Sequence, residues 1–203
     1  MRIAFRIAAA LLLAFGAGAV LAGGYVLTVD GKVVELDLDK DAELLVGGKP
    51  VAVRLQRKEV QQFRDGGLRF DYPASVQPST TDINANVHQV MLVSANGNGA
   101  IVQRYTGLDP NALVDLMVSE TTDEEVAAGY KRKIAPTTRT LADGRVLNGK
   151  QARTESKDES WSRTIVASGN AGGGYLVVTM MEDERAATDA AMIERFWKTL
   201  KLD

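Results

Sequence analysis

Tyr175-Leu176-Val177-Val178-Thr179-Met180-Met181 carries apolar side chains on both faces of the strand it encodes. With a period of two, Leu176, Val178 and Met180 point one way and Tyr175, Val177 and Met181 the other. Val90 and Leu92 oppose Met91 and Val93 in the same manner. A strand greasy on both sides has to be covered on both sides. Two helical stretches are the natural covers. The first is opened by Asp109 as N-cap and Pro110 in the first turn, with Leu113, Leu116 and Met117 at helical spacing. Thr122 and Glu125 read as a capping box from which that helix restarts and runs to about Arg132. The second helix closes the chain, with Met192, Ile193, Phe196, Trp197 and Leu200 in one apolar stripe.

Further strands are expected over 68–73, 87–94, 100–105, 137–141, 145–155 and 161–168. Asn96-Gly97 and Asp143-Gly144 supply hairpin turns between them. Because 145–155 and 161–168 are half polar, they are expected at sheet edges. The predicted fold class is α+β: an antiparallel sheet covered by helices on both faces, an α/β/α sandwich.

Upstream the chain repeats itself. Val29-Asp30-Gly31-Lys32-Val33-Val34-Glu35-Leu36-Asp37-Leu38 matches Val46-Gly47-Gly48-Lys49-Pro50-Val51-Ala52-Val53-Arg54-Leu55, each copy centred on a two-residue turn. Two copies are too few for a solenoid, and a small β-meander of two similar hairpins is expected. Between it and the next strand, 56–65 is polar around Val60 and Phe63 and ends at Gly66-Gly67, which reads as a linker or a short helix. The predicted organisation is a signal peptide over 1–22, a hairpin unit over 23–55, a linker over 56–67 and a sandwich domain over 68–203.

The signal peptide rests on Arg2 and Arg6 before an uncharged, Ala/Leu/Gly-rich run from Ile7 to Ala22, with Val20-Leu21-Ala22 as the cleavage site and Ala17-Gly18-Ala19 as a second candidate. An uncleaved anchor would use the same run extended to Val29, which has the length of a span. The glycines at 16, 18, 23 and 24 and the strand-and-turn pattern from Leu27 argue for cleavage. A periplasmic or secreted location follows, with no membrane span after cleavage.

The 203 residues contain no Cys and one His. That excludes disulfides, thiolate metal sites, cysteine nucleophiles and any site built on a histidine pair. A net charge of −2 leaves no basic footprint for nucleic acid. Gly67-Leu68-Arg69-Phe70-Asp71-Tyr72-Pro73, the closing Phe196-Trp197-Lys198-Thr199-Leu200 and the order of elements between them resemble the PsbP-like family over about 66–203. That family includes an extrinsic photosystem II protein, a Ran-binding nuclear factor and bacterial envelope proteins. The resemblance implies an α/β/α sandwich used mostly for protein binding, and carries over no site residue.

Several residues invite a chemical reading. His88, with Ser94 beside it, suggests a general base, but no Gly-x-Ser-x-Gly elbow presents a nucleophile. Asp37, Asp39, Asp41 and Glu43 alternate like ligands for Ca²⁺, yet Ala42 stands where an EF-hand loop needs glycine. Glu182-Asp183-Glu184 reads as a solvated acidic turn, and Lys131-Arg132-Lys133 as cations complementing a helix C-terminus. Gly169-Asn170-Ala171-Gly172-Gly173-Gly174 lacks the Lys-Ser/Thr ending of a phosphate loop. Trp161 and Trp197 read as core residues, or as partner anchors where exposed.

No catalytic, cofactor-binding or metal-binding residue is therefore assigned. The expected function is a non-enzymatic extracytoplasmic binding or accessory protein whose partner is another envelope or secreted protein. The alternative is a carboxylate-based envelope hydrolase or a calcium-dependent module. Cleavage after Ala22 predicts a mature chain that begins at Gly23; N-terminal sequencing that finds Met1 instead would indicate a retained anchor.

Overall fold

The computed structural model describes residues 24–183 and 187–203. The predicted signal peptide, 1–22, lies outside the described residues. The chain divides into two compact units, 1–57 and 58–203.

In the first unit, β1 (Tyr25–Val29) pairs with β2 (Lys32–Leu36) and β3 (Asp41–Val46) with β4 (Lys49–Arg54). The duplicated sequence thus forms duplicated hairpins, but not the expected continuous meander. β2 and β3 do not pair; the chain turns between them through Asp39, which has a positive φ of 62°. A single parallel bridge joins Leu38 to Leu55, the equivalent positions of the two repeats. Among the described residues of this unit only Leu36 and Leu44 are buried, while Val26, Val33 and Leu45 are each more than 60% exposed.

The second unit begins earlier than expected. The stretch read as a linker contains β5 (Val60–Asp65), which pairs with β6 (Leu68–Pro73) across the Gly66-Gly67 turn. Phe63 stacks on Phe70 across that ladder, with ring centroids 5.0 Å apart. A short β14 (Lys201–Leu202) adds a third strand on the other side of β6. Of the polar residues that suggested a linker, Gln62 and Arg64 form the wet face of this hairpin, while Gln61 and Asp65 share the face of Phe63.

The main sheet has seven antiparallel strands: β7 (Ser79–Asn84), β8 (Val87–Val93), β9 (Gly99–Thr106), β10 (Lys131–Thr140), β11 (Val146–Glu155), β12 (Ser160–Asn170) and β13 (Gly173–Glu182). Their spatial order is β10-β11-β12-β13-β9-β8-β7. Leu176, Val177 and Val178 of β13 are fully buried, so both faces of this strand are covered. On one face Tyr105, Ile165, Leu176 and Val178 pack against Val114 and Val118 of α1 (Val114–Ala127). On the other, Val90, Val102, Val166 and Val177 pack against Phe70, Leu202 and the Met192 and Phe196 of α2 (Ala187–Thr199).

The expected α/β/α sandwich is corrected by this arrangement. The structure is mostly antiparallel strand with two helices, and helices do not cover both faces of the sheet. A helix is about 10 Å wide and strands repeat about every 4.8 Å, so one helix roofs roughly two strands of seven. The second face is completed by the small three-stranded sheet. Much of β10 and all of β7, the true edges, remain exposed.

Three local expectations change with it. β11 and β12 are inner strands rather than edges, each paired on both sides, and the polar Arg163 and Thr164 of β12 are buried. The middle helix does not restart at Thr122, whose hydroxyl donates to Val118 O within one continuous helix. It ends at Ala127, where Gly129 takes a φ of 97° and Tyr130 N–H returns to Glu125 O. Lys131-Arg132-Lys133 therefore opens β10 instead of closing the helix. Within β10, the closure of Leu141 N–H onto Arg145 O makes the odd residues the hydrogen-bonded partners of β11. Pro136 then presents its proton-less nitrogen to the open edge and interrupts it.

α2 is latched to the sheet by Asp189, a buried acid in its first turn. One carboxylate oxygen accepts from Asn98 Nδ2 at 2.8 Å, Ser94 Oγ at 2.9 Å and Asn96 Nδ2 at 3.1 Å, all from the β8–β9 turn. Burial pushes the Asp189 carboxyl up, but the donors of Asn98, Asn96 and Ser94 outweigh it and hold the group below its ordinary value. The latch is therefore complete above pH 3.8 and is lost as pH falls through the lowered value. Asp189→Ala, which strands the fully buried Asn98, is expected to cost about 2 kcal/mol in urea unfolding at neutral pH.

Candidate functional site

The structure separates His88 from Ser94. Ser94 serves the Asp189 latch, whereas the His88 ring lies between two carboxylates: Nδ1 meets Asp82 Oδ1 at 2.6 Å and Nε2 meets Asp65 Oδ2 at 2.7 Å. Asp65 ends β5 and Asp82 lies on β7, so this histidine ties the small sheet to the edge of the large one. Arg104, opposite His88 on β9, donates to Gly66 O at 2.5 Å and braces the same corner. The Asp82 hydrogen bond first, and then Asp65, raise the His88 pKa above 6.5 against the opposing effect of burial. A ring that engages both carboxylates as a cation has no free nitrogen with which to act as a base.

The other candidates resolve as structure. Asp37 pairs with Lys40 at 2.8 Å and Asp41 with Arg54 at 3.6 Å, and no group of three or more metal-ligating side chains gathers among the described residues. Glu182 is buried, with its N–H on Asn98 Oδ1; Asp183 accepts from Ser160 and pairs with Arg153; Glu184 lies outside the described residues. The glycine run closes the β12–β13 hairpin under Pro110. A Cβ on Gly169 would stand 2.7 Å from Pro110 Cδ, and one on Gly174 2.3 Å from Ser168 O. Trp161 stacks against Arg163, which is buried and paired with Glu125 of α1.

Trp197 belongs to a different setting, missed in the sequence. Where neither α2 nor the small sheet covers the main sheet, an open groove of about 320 Å³ runs along α2. Its floor is set by register: Gln151, Thr164 and Thr179 stand in one row across β11, β12 and β13. Ala190, Ile193, Glu194 and Trp197, spaced for one helical face, form the wall. Arg139 on β10 lays its guanidinium over the Trp197 ring, 5.4 Å from the centroid. The Trp197 indole N–H reaches Thr179 Oγ1 at a long 3.4 Å. The volume lies at the low end for ligand sites, and the lining is mixed, with Met180 and Met181 of β13 beside the hydroxyl and amide groups of the floor. The signal available in the sequence was the polar character of Gln151, Ser162 and Thr164 in strands that are half polar; it was read as an edge rather than as a bare floor.

Among the described residues no helix is long and apolar enough to cross a membrane. No model of a known protein family matches the chain, and no curated protein matches it.

The His88 clamp contributes stability that is fully present below pH 6.5 and is lost as pH rises through the raised pKa. The urea midpoint of the protein is thus expected to fall across that rise, and His88→Asn to flatten the profile. A histidine Cε1–H resonance titrating at or below 6.5 would refute the clamp.

Proposed function

We propose that this is a non-enzymatic extracytoplasmic binding or accessory protein, and that its partner, another envelope or secreted protein, is engaged through the groove beside α2. The observation that carries this reading is the groove itself: a half-buried tryptophan and an isoleucine facing a sheet floor of mixed hydroxyl, amide and methionine side chains that nothing among the described residues of the larger unit covers. Tryptophan beside arginine is the pairing that concentrates binding energy at interfaces. The export-like run from Arg2 to Ala22 favours a place outside the cytoplasm. The likeness of 67–73 and 196–200 to PsbP-like proteins, many of which bind other proteins, points the same way. A hydrolase would draw on Asp65 and Asp82, but both carboxylates are committed to the His88 ring.

The test is site-specific photocrosslinking in envelope fractions, with the photoreactive residue at Gln151 on the groove floor or at Thr81 on the far edge. A discrete adduct from position 151, competed by excess unlabelled protein and missing from position 81, is the expected result. Equal labelling from both positions, or none from either, would overturn the proposal.

A further inference from the structure

We infer that the groove recognises an extended polypeptide segment by a single carboxylate side chain, with Arg139 as its anchor. This rests on the binding role proposed for the groove. Arg139 is exposed, is held over the Trp197 ring, and forms no hydrogen bond or ion pair among the described residues. The cation–π contact restrains the guanidinium beside the groove without using its N–H donors, and those donors suit the two oxygens of a carboxylate. Glu194 on the facing wall is likewise without a partner among the described residues, so the groove holds one free cation and one free anion. A carboxylate pairs with Arg139 alone, and Glu194 repels further negative charge, which disfavours a phosphate dianion.

The floor narrows the choice further. Thr164 is only 7% exposed, yet its hydroxyl opens on the groove and has no partner among the described residues; Gln151 beside it is also unpaired. A hydroxyl and a side-chain amide open to the groove can each hydrogen-bond a ligand that offers donors and acceptors. A peptide backbone offers a donor and an acceptor at each residue, so it can meet both the hydroxyl and the amide of this row. A sugar ring would instead need the Trp197 face, which Arg139 occupies. A segment with an acidic residue at Arg139 and an apolar one against Ile193 satisfies each of these groups.

The two tryptophans make the test direct, because the protein has two indole N–H resonances and only Trp197 lines the groove. The ¹⁵N-labelled protein is titrated with an end-capped Val-Glu-Val-Thr tetrapeptide, with its Gln counterpart, and with a neutral oligosaccharide. The Glu peptide is expected to move the Trp197 resonance saturably while Trp161 stays still, and the Gln peptide to bind at least tenfold more weakly. Arg139→Gln should erase the difference between the two peptides, and Arg139→Lys should restore only part of it. Thr164→Val should weaken both peptides about equally. Unchanged thermal melts of these variants confirm that folding is intact. Equal binding of the Glu and Gln peptides, or a preference that survives Arg139→Gln, would overturn the carboxylate anchor while leaving the groove as a binding site. A Trp197 shift with the oligosaccharide alone would overturn the polypeptide occupant. No shift with any probe, alongside a discrete crosslink from Gln151, would overturn this inference and spare the proposed function.

Discussion

Burial on both faces of β12 and β13 is the constraint from which the larger unit is built. Ile165, Val166, Leu176, Val177 and Val178 are fully removed from water, and neighbours in this run point to opposite sides. The side carrying Ile165, Leu176 and Val178 is met by α1, and the side carrying Val166 and Val177 by α2 with the small sheet. Each covering element is then held by polar contacts as well as by apolar packing. Glu125 of α1 pairs with Arg163 on β12, and Asp189 of α2 gathers three donors from the β8–β9 turn. The His88 imidazolium does the same for the small sheet.

These contacts are worth more as positioning devices than as a sum of stabilities. A buried charge that loses its partner is penalised heavily, while the intact pair contributes modestly. Arg163 and Asp189 therefore restrict where the helices can sit. The Asp189 latch fixes α2 so that Met192 and Phe196 face the core while Ile193 and Trp197 flank the bare floor. The groove follows from insufficient cover: two helices and a three-stranded sheet do not roof seven strands, and the strip left open is the strip with hydroxyl and amide side chains.

The smaller unit has a different balance. Two hairpins bury two leucines between them and leave several large apolar side chains in water. Isolated two-stranded hairpins are marginal in water, and the bridge between Leu38 and Leu55 is the one ladder contact joining the repeats.

Local chemistry was legible in the residues themselves. The Asp30-Gly31, Gly47-Gly48 and Asp143-Gly144 turns, the Asp109 cap and the α2 stripe are short-range signals, and each lies where turn geometry or helical periodicity requires it. Even Gly129, which ends α1, was visible, although Lys131-Arg132-Lys133 was given to the helix. Long-range pairing was not legible. β5 looked like a linker because its partner's Phe70 is what makes Phe63 an inward residue. β12 looked like an edge because Arg163 and Thr164 are polar, and only the approach of Glu125 makes a buried arginine tolerable there. The sequence by itself determined that some strands must be dry on both sides, since alternation is a property of neighbouring residues. What covers those strands, and which strip stays bare to form the groove, was decided by tertiary structure, because area and register are properties of strands brought together from distant parts of the chain.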